Sequence, residues 1–349
     1  MFGQTKIRNM RYFVIVLSAF MLFASCAKDE EISTREIQQK ILEAYIQQNY
    51  PEATQTTSGL VIISQEAGYG KNPKQYGAAY LRYSSKELDG TYLTTTYKDL
   101  AEQLGTYSAD IYYGPELMTL GYGSTITGLA EALKMMNKGS KMTVIVPPWL
   151  SNYDSDYDGY YGSSVETQTQ SSSVIYELEL GDVVDNITEF QIDSLESYRD
   201  IYYPGLDSTV YGYYFKKLEG TVTDTVEAEQ VVKVYYVGRL LDGYIFDTNI
   251  EDTAKKYRIY DSESTYEPLE VTMKSTYTAM TSTGTSDSST EGYVEGFARA
   301  VKSMTYGDRA VTFFQSSLGY GELGTMSSGV GVPDYAMLRF DLYVLPEDE

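Results

Sequence analysis

This chain of 349 residues contains no histidine, and its one cysteine, Cys26, lies near the start. The commonest general base, the commonest metal ligand and an interior thiolate nucleophile are excluded together. Carboxylates, hydroxyls and aromatic rings remain. Tyr236, Phe246, Asp247, Phe297, Tyr320 and Phe340 are among them. Taken singly, Tyr236, Phe246 or Phe340 reads as core, because aromatics at alternate strand positions usually pack inward. One cluster, Asp154-Ser155-Asp156-Tyr157-Asp158-Gly159, spaces three carboxylates like the first half of a calcium loop. The twelfth position, which needs a bidentate acid, is Val165, with Glu166 one place late, so an acidic surface loop is the simpler reading and calcium stays open. The Gly-rich segment from Gly319 to Gly331 follows no phosphate-binding template.

The elements that must position these residues occur twice. Tyr50-Pro51 recurs at Tyr203-Pro204, Tyr83 at Tyr236, and Leu88-Asp89-Gly90 at Leu241-Asp242-Gly243, all 153 positions on. Gly128-Leu129, Met136 and Gly139 match Gly296-Phe297, Met304 and Gly307 at an offset of 168, so the second copy carries an insertion of 15 residues (168 − 153). Each copy opens with an amphipathic helix, through Ile37, Ile41, Leu42, Tyr45 and Ile46 in the first and Phe190, Leu195 and Tyr198 in the second. Tyr-Pro stops both. Strands are expected over 59–64 and 212–218, then over 78–84 and 231–237, each of the latter followed by an Asp-Gly turn. Short helical pieces follow at 98–104 and 251–256. One interior helix per copy, 128–137 and 296–304, leads into strands 142–146 and 310–314, and closing strands span 174–180 and 337–345. The fold class is α+β, with an antiparallel sheet wrapped around a short helix in each copy.

From Val234-Tyr235-Tyr236-Val237-Gly238 and Leu241-Asp242-Gly243-Tyr244-Ile245-Phe246-Asp247 onward, the second copy resembles the FKBP family of peptidyl-prolyl isomerases. The likeness runs through Val294-Glu295-Gly296-Phe297, Gly307-Asp308-Arg309-Ala310, Leu318-Gly319-Tyr320-Gly321 and Leu338-Arg339-Phe340-Asp341, covering nearly all of 211–346. It implies a pocket walled by Tyr236, Phe246, Leu269, Val294, Phe297, Tyr320 and Phe340, with Asp247 as a buried carboxylate beside it. The Val294 N–H and the Tyr320 hydroxyl would hold substrate carbonyls, Phe297 would meet the proline ring, and Asp247 would orient Tyr236. Phe297 stands where the family usually has tryptophan, and Val332-Pro333-Asp334 where it has Ile-Pro-Pro; Val332 is the expected substrate contact there. Residues 274–290, rich in Ser and Thr, would form an extra flap near the pocket mouth. In the first copy, Leu93, Thr94, Leu129 and Tyr176 replace Phe246, Asp247, Phe297 and Phe340. That copy is expected to keep the fold with little or no activity.

The first residues resemble a lipoprotein signal: Lys6, Arg8 and Arg11, an apolar run from Tyr12 to Phe23, then Phe23-Ala24-Ser25-Cys26. The expected organisation is a signal peptide over 1–25, an acidic tether over 26–34, a degenerate FKBP-like domain over 35–185 and an FKBP-like isomerase domain over 186–349. Cys26 would be the acylated residue, and Ala27-Lys28-Asp29-Glu30-Glu31 resembles a tether that sends lipoproteins to the outer face of the outer membrane. Loss of 1–25 would leave 24 Lys+Arg (27 − 3) against 49 Asp+Glu, a net charge of −25. Such a surface repels nucleic acid and anionic headgroups. The resemblance thus implies a lipid-anchored prolyl isomerase that needs no cofactor or metal and acts on proline-containing unfolded polypeptides during folding of exported proteins. A non-catalytic peptide-binding chaperone or surface scaffold is the alternative, and an adhesin or nutrient-binding lipoprotein a third.

Overall fold

The computed structural model describes residues 33–155, 171–220, 226–274, 293–325 and 331–347. Cys26, residues 275–290 of the expected flap and most of the acidic loop at 154–158 lie outside them. Two compact units divide the chain, residues 1–49 and Tyr50–Glu349. Helix α1 (Thr34–Asn49) belongs to the first. Its start is a reciprocal cap, in which Glu36 N–H donates to Ser33 Oγ at 3.2 Å and Ser33 N–H donates to Glu36 Oε2 at 2.9 Å.

The second unit holds the sheets of both copies. The first copy runs β1 (Thr54–Gln55), β2 (Val61–Glu66), β3 (Ala78–Glu87), β4 (Tyr92–Thr95), α2 (Lys98–Leu104), β5 (Glu116–Thr119), β6 (Tyr122–Ile126), α3 (Thr127–Met135), β7 (Lys141–Val146), β8 (Tyr153–Ser155) and β9 (Val174–Val184). The second copy runs α4 (Ile187–Tyr202), β10 (Tyr213–Glu219), β11 (Val231–Leu240), β12 (Ile245–Thr248), α5 (Glu251–Tyr257), β13 (Leu269–Thr272), α6 (Glu295–Lys302), β14 (Arg309–Phe314) and β15 (Leu338–Val344).

The two sheets have one topology. Strand order is β2-β7-β9-β3-β4 in the first, with β1 beyond β2 and β5 also on β3, and β10-β14-β15-β11-β12 in the second, with β13 also on β11. All of these pairings are antiparallel. Element starts keep the sequence offsets: β11 lies 153 after β3 (231 − 78), β13 lies 153 after β5 (269 − 116), and β14 lies 168 after β7 (309 − 141). The α+β architecture is therefore the one expected from the sequence.

Each sheet curls over its interior helix. α3 buries Leu129, Ala130, Ala132 and Leu133 against the first sheet, and α6 buries Phe297, Ala298, Ala300 and Val301 against the second. Apolar residues three and four apart on one helix face produce that contact. On the opposite face of the second sheet lies α4, whose Leu195 and Tyr198 pack with Tyr214 and Phe313. Asn186 caps α4 by accepting hydrogen bonds from the N–H groups of Thr188 and Glu189 at 3.0 and 3.3 Å.

Candidate active site

The site is built on three adjacent strands and one helix start. β11 lies between β15 and β12, and in its register Gly238 sits opposite Phe340 on one side and Asp247 on the other. A Cβ at 238 would lie 2.7 Å from the Phe246 ring and 3.1 Å from the Phe340 ring, so only glycine lets both rings turn over that strand. The first copy has Ser85 at this position, opposite Tyr176 and Thr94.

Phe340 is the hub. Its ring meets Phe297 at 5.3 Å, Phe246 at 5.8 Å and Tyr236 at 6.3 Å, steeply tilted each time, and stacks on Phe314 at 6.1 Å. Tyr236 stands edge-on to Phe297 at 5.8 Å, and Tyr320 edge-on to Phe246 at 6.1 Å. Edge-to-face contacts place positive ring edges on negative faces and fix ring orientation. Phe246, Phe297 and Phe340 are buried, while Tyr236, Leu269, Val294 and Tyr320 are half-buried around them. The three phenylalanines thus form a floor and the four half-buried residues a rim.

Tyr236 donates its hydroxyl to Asp247 Oδ2 at 2.7 Å. Desolvation raises the Asp247 pKa, with the Tyr236 bond and the Thr248 backbone acting in the lowering direction. Burial, then the charge of Asp247, pushes the Tyr236 phenol well up, so it remains a neutral donor. Tyr320 is pushed up to about 12 by burial and then by Asp247. Contrary to expectation, Asp247 is not a buried residue. β12 ends the strand order on its side. With no strand beyond it, one side of Asp247 meets solvent while its carboxyl is crowded by protein. Val332 also departs from expectation: it is fully buried and so backs the wall instead of facing a ligand.

Val294 precedes α6 with φ −56° and ψ 140°, and among the described residues no acceptor meets its N–H. Sequence reasoning missed Tyr293, whose ring lies 5.3 Å from Phe297, and Asn249, which is buried and accepts the Tyr236 N–H at 2.8 Å while its amide donates to the Val234 carbonyl at 2.9 Å. The repeat signals Asn249, because Thr96 in the first copy accepts the Tyr83 N–H in the same way at 2.9 Å.

The first copy keeps the frame and loses the box. Leu93 is half-exposed at 51%, and Leu129 and Tyr176 are buried. Tyr83 turns its hydroxyl to Glu116 Oε2, at 3.4 Å, a carboxylate on β5 where the second copy has Leu269. Burial lifts Glu116 to about 7, with the Tyr83 bond opposing and the charge of Asp334 adding. Trp149 packs within its own domain, its indole N–H donating to the Ser58 carbonyl at 3.0 Å. A separate cleft of about 380 Å³ opens on the first sheet beside Ser64, Glu66, Lys141, Glu177, Glu179 and Tyr97. Of its lining residues, Lys141 pairs with Glu179 at 3.8 Å, Glu177 with Lys86 at 2.6 Å, and the Tyr97 hydroxyl donates to Glu179 at 3.0 Å. It lies away from the ring box and adds nothing to it.

Two curled antiparallel sheets, each around one helix, with a tyrosine and carboxylate set over phenylalanines in the second, define a tandem prolyl-isomerase fold. Residues 89–181 and 223–345, together more than half of the chain, match the family described as FKBP-type peptidyl-prolyl cis-trans isomerase, and the chain belongs to that family. It is similar to the peptidyl-prolyl cis-trans isomerase FKBP10 of Bos taurus, 25% identical over 264 residues, and of Mus musculus, 26% identical over 264 residues. In both cases the match covers 75% of this chain and 33% of the relative, so the chain spans about a third of the length of these curated relatives. Among solved structures, the three FKBP domains of wheat FKBP73 match at 19% identity and TM-score 0.28, over 83% of this chain and 95% of that one. FkpA from Escherichia coli matches at 21% identity and TM-score 0.29, over 52% and 74%.

Proposed function

We propose that the second copy catalyses prolyl cis-trans isomerisation in extended or unfolded polypeptides, and that the chain, lipid-anchored through Cys26 in the outer membrane with a periplasmic or cell-surface face, assists the folding of exported proteins. The observation that carries the reading is the 2.7 Å Tyr236–Asp247 bond set over the Phe246, Phe297 and Phe340 rings, in contrast to the first copy, where Leu93, Thr94, Leu129 and Tyr176 take the places of Phe246, Asp247, Phe297 and Phe340 and Tyr83 turns to Glu116.

The chemistry suits a chain without histidine. Rotation about an X-Pro bond breaks amide resonance against a barrier of ~18–20 kcal/mol and makes or breaks no covalent bond. Twisting the amide removes its charge separation, so the transition state loses less than the planar ground state on leaving water. An aromatic floor therefore binds the twisted form preferentially, which is the differential binding that lowers a barrier. About 5–6 kcal/mol of it gives roughly ten-thousandfold acceleration. Phe297 would meet the proline ring, the Val294 N–H and Tyr320 hydroxyl would take substrate carbonyls, and Asp247 would hold the Tyr236 phenol in place.

The test is a protease-coupled isomerisation assay on the full chain with a panel of X-Pro peptides, comparing wild type with Asp247→Ala and with Leu129→Ala in the first copy. Loss of turnover in the former and retention in the latter is expected. Turnover that follows Leu129 and ignores Asp247 would place the activity in the wrong copy. A second reading, a non-catalytic peptide holder, draws on Phe297 in place of tryptophan and on the burial of the floor rings; saturable peptide binding with no turnover would establish it.

A further inference from the structure

The loop after α2 and the loop after α5 share a stacked tyrosine pair and differ in the residue that precedes its second member. Tyr107 stacks with Tyr113 at 5.5 Å and 26° in the first copy, and Tyr260 with Tyr266 at 5.2 Å and 14° in the second, each pair 153 positions from its counterpart. Between them, position 112 is tyrosine where its counterpart, 265, is threonine. Thr265 is exposed on the second copy, whereas Tyr112 is 6% exposed and belongs to the hydrophobic core of the other copy, the one carrying the candidate site.

Tyr112 touches both flanks of that site. Its hydroxyl donates to Asp242 Oδ2 at 2.9 Å, while Asp242 Oδ1 accepts the Tyr244 N–H at 3.0 Å. Asp242 is therefore the clasp of the Asp-Gly turn that feeds directly into β12, the strand of Phe246 and Asp247. The Tyr112 ring meets Tyr244 edge-on at 5.4 Å and 64°, and Tyr244 donates its hydroxyl to the Ala109 carbonyl at 3.2 Å, so the turn and the loop grip each other twice. On the other flank, a Cβ at Gly331 would lie 2.3 Å from the Asp110 carbonyl and 3.0 Å from the Tyr112 nitrogen. Only glycine permits that approach, and the next residue is the wall residue Val332, whose carbonyl accepts the Thr325 N–H at 2.8 Å.

Building on the isomerase reading, we propose that Tyr112, a residue of the first copy, is a positioning residue for the second copy's pocket: it sets the spacing between the β12 wall and the Val332 wall. The first copy is then a structural part of the active site of its neighbour. It touches no substrate. Its effect falls on how closely the two walls meet an extended peptide.

The experiment uses the full chain, with kcat and KM for an X-Pro peptide and backbone amide exchange measured on wild type, Tyr112→Phe and Tyr112→Ser. Tyr112→Phe keeps the ring and loses the clasp to Asp242; KM is expected to rise about three- to tenfold, the scale of one lost hydrogen bond, with kcat within about twofold. Tyr112→Ser is expected to speed exchange at 242–248 and 331–337 while leaving 309–314, on β14, at wild-type protection. Unchanged KM and unchanged exchange in both variants would overturn the proposal, as would exchange that rises uniformly across the second sheet. A wild-type chain without turnover would overturn the isomerase reading instead, and the exchange pattern alone would then decide whether Tyr112 holds the two walls.

Discussion

At the scale of single residues, the two copies differ in where a tyrosine finds its carboxylate, and each arrangement has a measurable consequence. In the second copy Tyr236→Phe removes the donor to Asp247 and leaves a carboxylate crowded by protein without its partner. Hydrogen bonds to charged groups contribute about 1.5–3 kcal/mol. If that bond matters equally in ground and transition states, stability falls and kcat holds; if it orients the rim for the twisted amide, kcat/KM falls by about tenfold or more, and steady-state kinetics separates the two. Tenfold loss is the expected outcome. In the first copy Glu116 supplies a pH signature. Its carboxyl sits at about 7 in the fold against an ordinary 4.5. Between those values the folded chain keeps a proton that the unfolded chain has released, so stability is fullest below about 4.5 and is lost as pH climbs to about 7. Glu116→Gln cannot ionise and escapes the loss. Its melting temperature is expected to exceed wild type at pH 8, by a difference on the order of 2–3 kcal/mol in stability, and to meet wild type at pH 4. Parallel melting curves at both pH values would show that Glu116 does not titrate in this window.

At the scale of elements, the sequence carried the frame because two periodicities and one repeat agreed. The helix at 98–104 is the observed α2, and the Asp-Gly turns lie where β3 meets β4 and β11 meets β12. Less legible were β4 and β12, four residues each, and β5 and β13, also four each, because strands so short carry too few alternations to show a period. Glu116 hid for that reason: its role follows only once β5 is paired with β3 and aligned on Leu269. Tyr112 hid for a different one, since nothing local to a loop announces that its side chain belongs to another domain's core. Gln191 is a third such residue. It is buried on α4, accepts the Ser316 N–H at 2.9 Å through its carbonyl, and donates to the Tyr335 carbonyl at 3.0 Å through its amide. One side chain thus ties both ends of the segment that carries Tyr320 and Val332. Gln191→Leu preserves helix propensity and apolar volume but leaves a buried N–H and a carbonyl unmatched, at about 1–3 kcal/mol for each. The expected result is a loss of about 2–4 kcal/mol in denaturant unfolding together with weaker peptide binding. A stability change alone, with peptide KM unaltered, would confine Gln191 to the packing of α4.

At the scale of the molecule, residues 50–349 are one compact unit although they hold two copies of one fold. Shared side chains account for it. Tyr112 of the first copy lies in the second copy's core, and Ala78, Leu117 and Val184 of the first sheet form one apolar cluster with Ile187 and Phe190 of α4 and with Tyr335. Tyr80 and Phe190 bring their rings to 5.6 Å across that seam. Interfaces between ordinary tandem domains are more polar and allow each domain to unfold alone. Here, removing either copy exposes aromatic surface that the other had covered, so the free energies of the two are coupled. Calorimetry of the full chain is expected to give a single transition whose van't Hoff and calorimetric enthalpies agree. The paired substitution Tyr112→Ser with Phe190→Ser, which empties both contacts while leaving each sheet's hydrogen bonds intact, is expected to split it in two. The formal charge of −22 adds a control: self-repulsion of the acidic surface destabilises the compact state and is screened by salt, so added salt should raise every transition together. A split that salt alone abolishes would mean that charge, and not the buried tyrosine and phenylalanine, sets the coupling; a split that persists at high salt assigns it to those two rings.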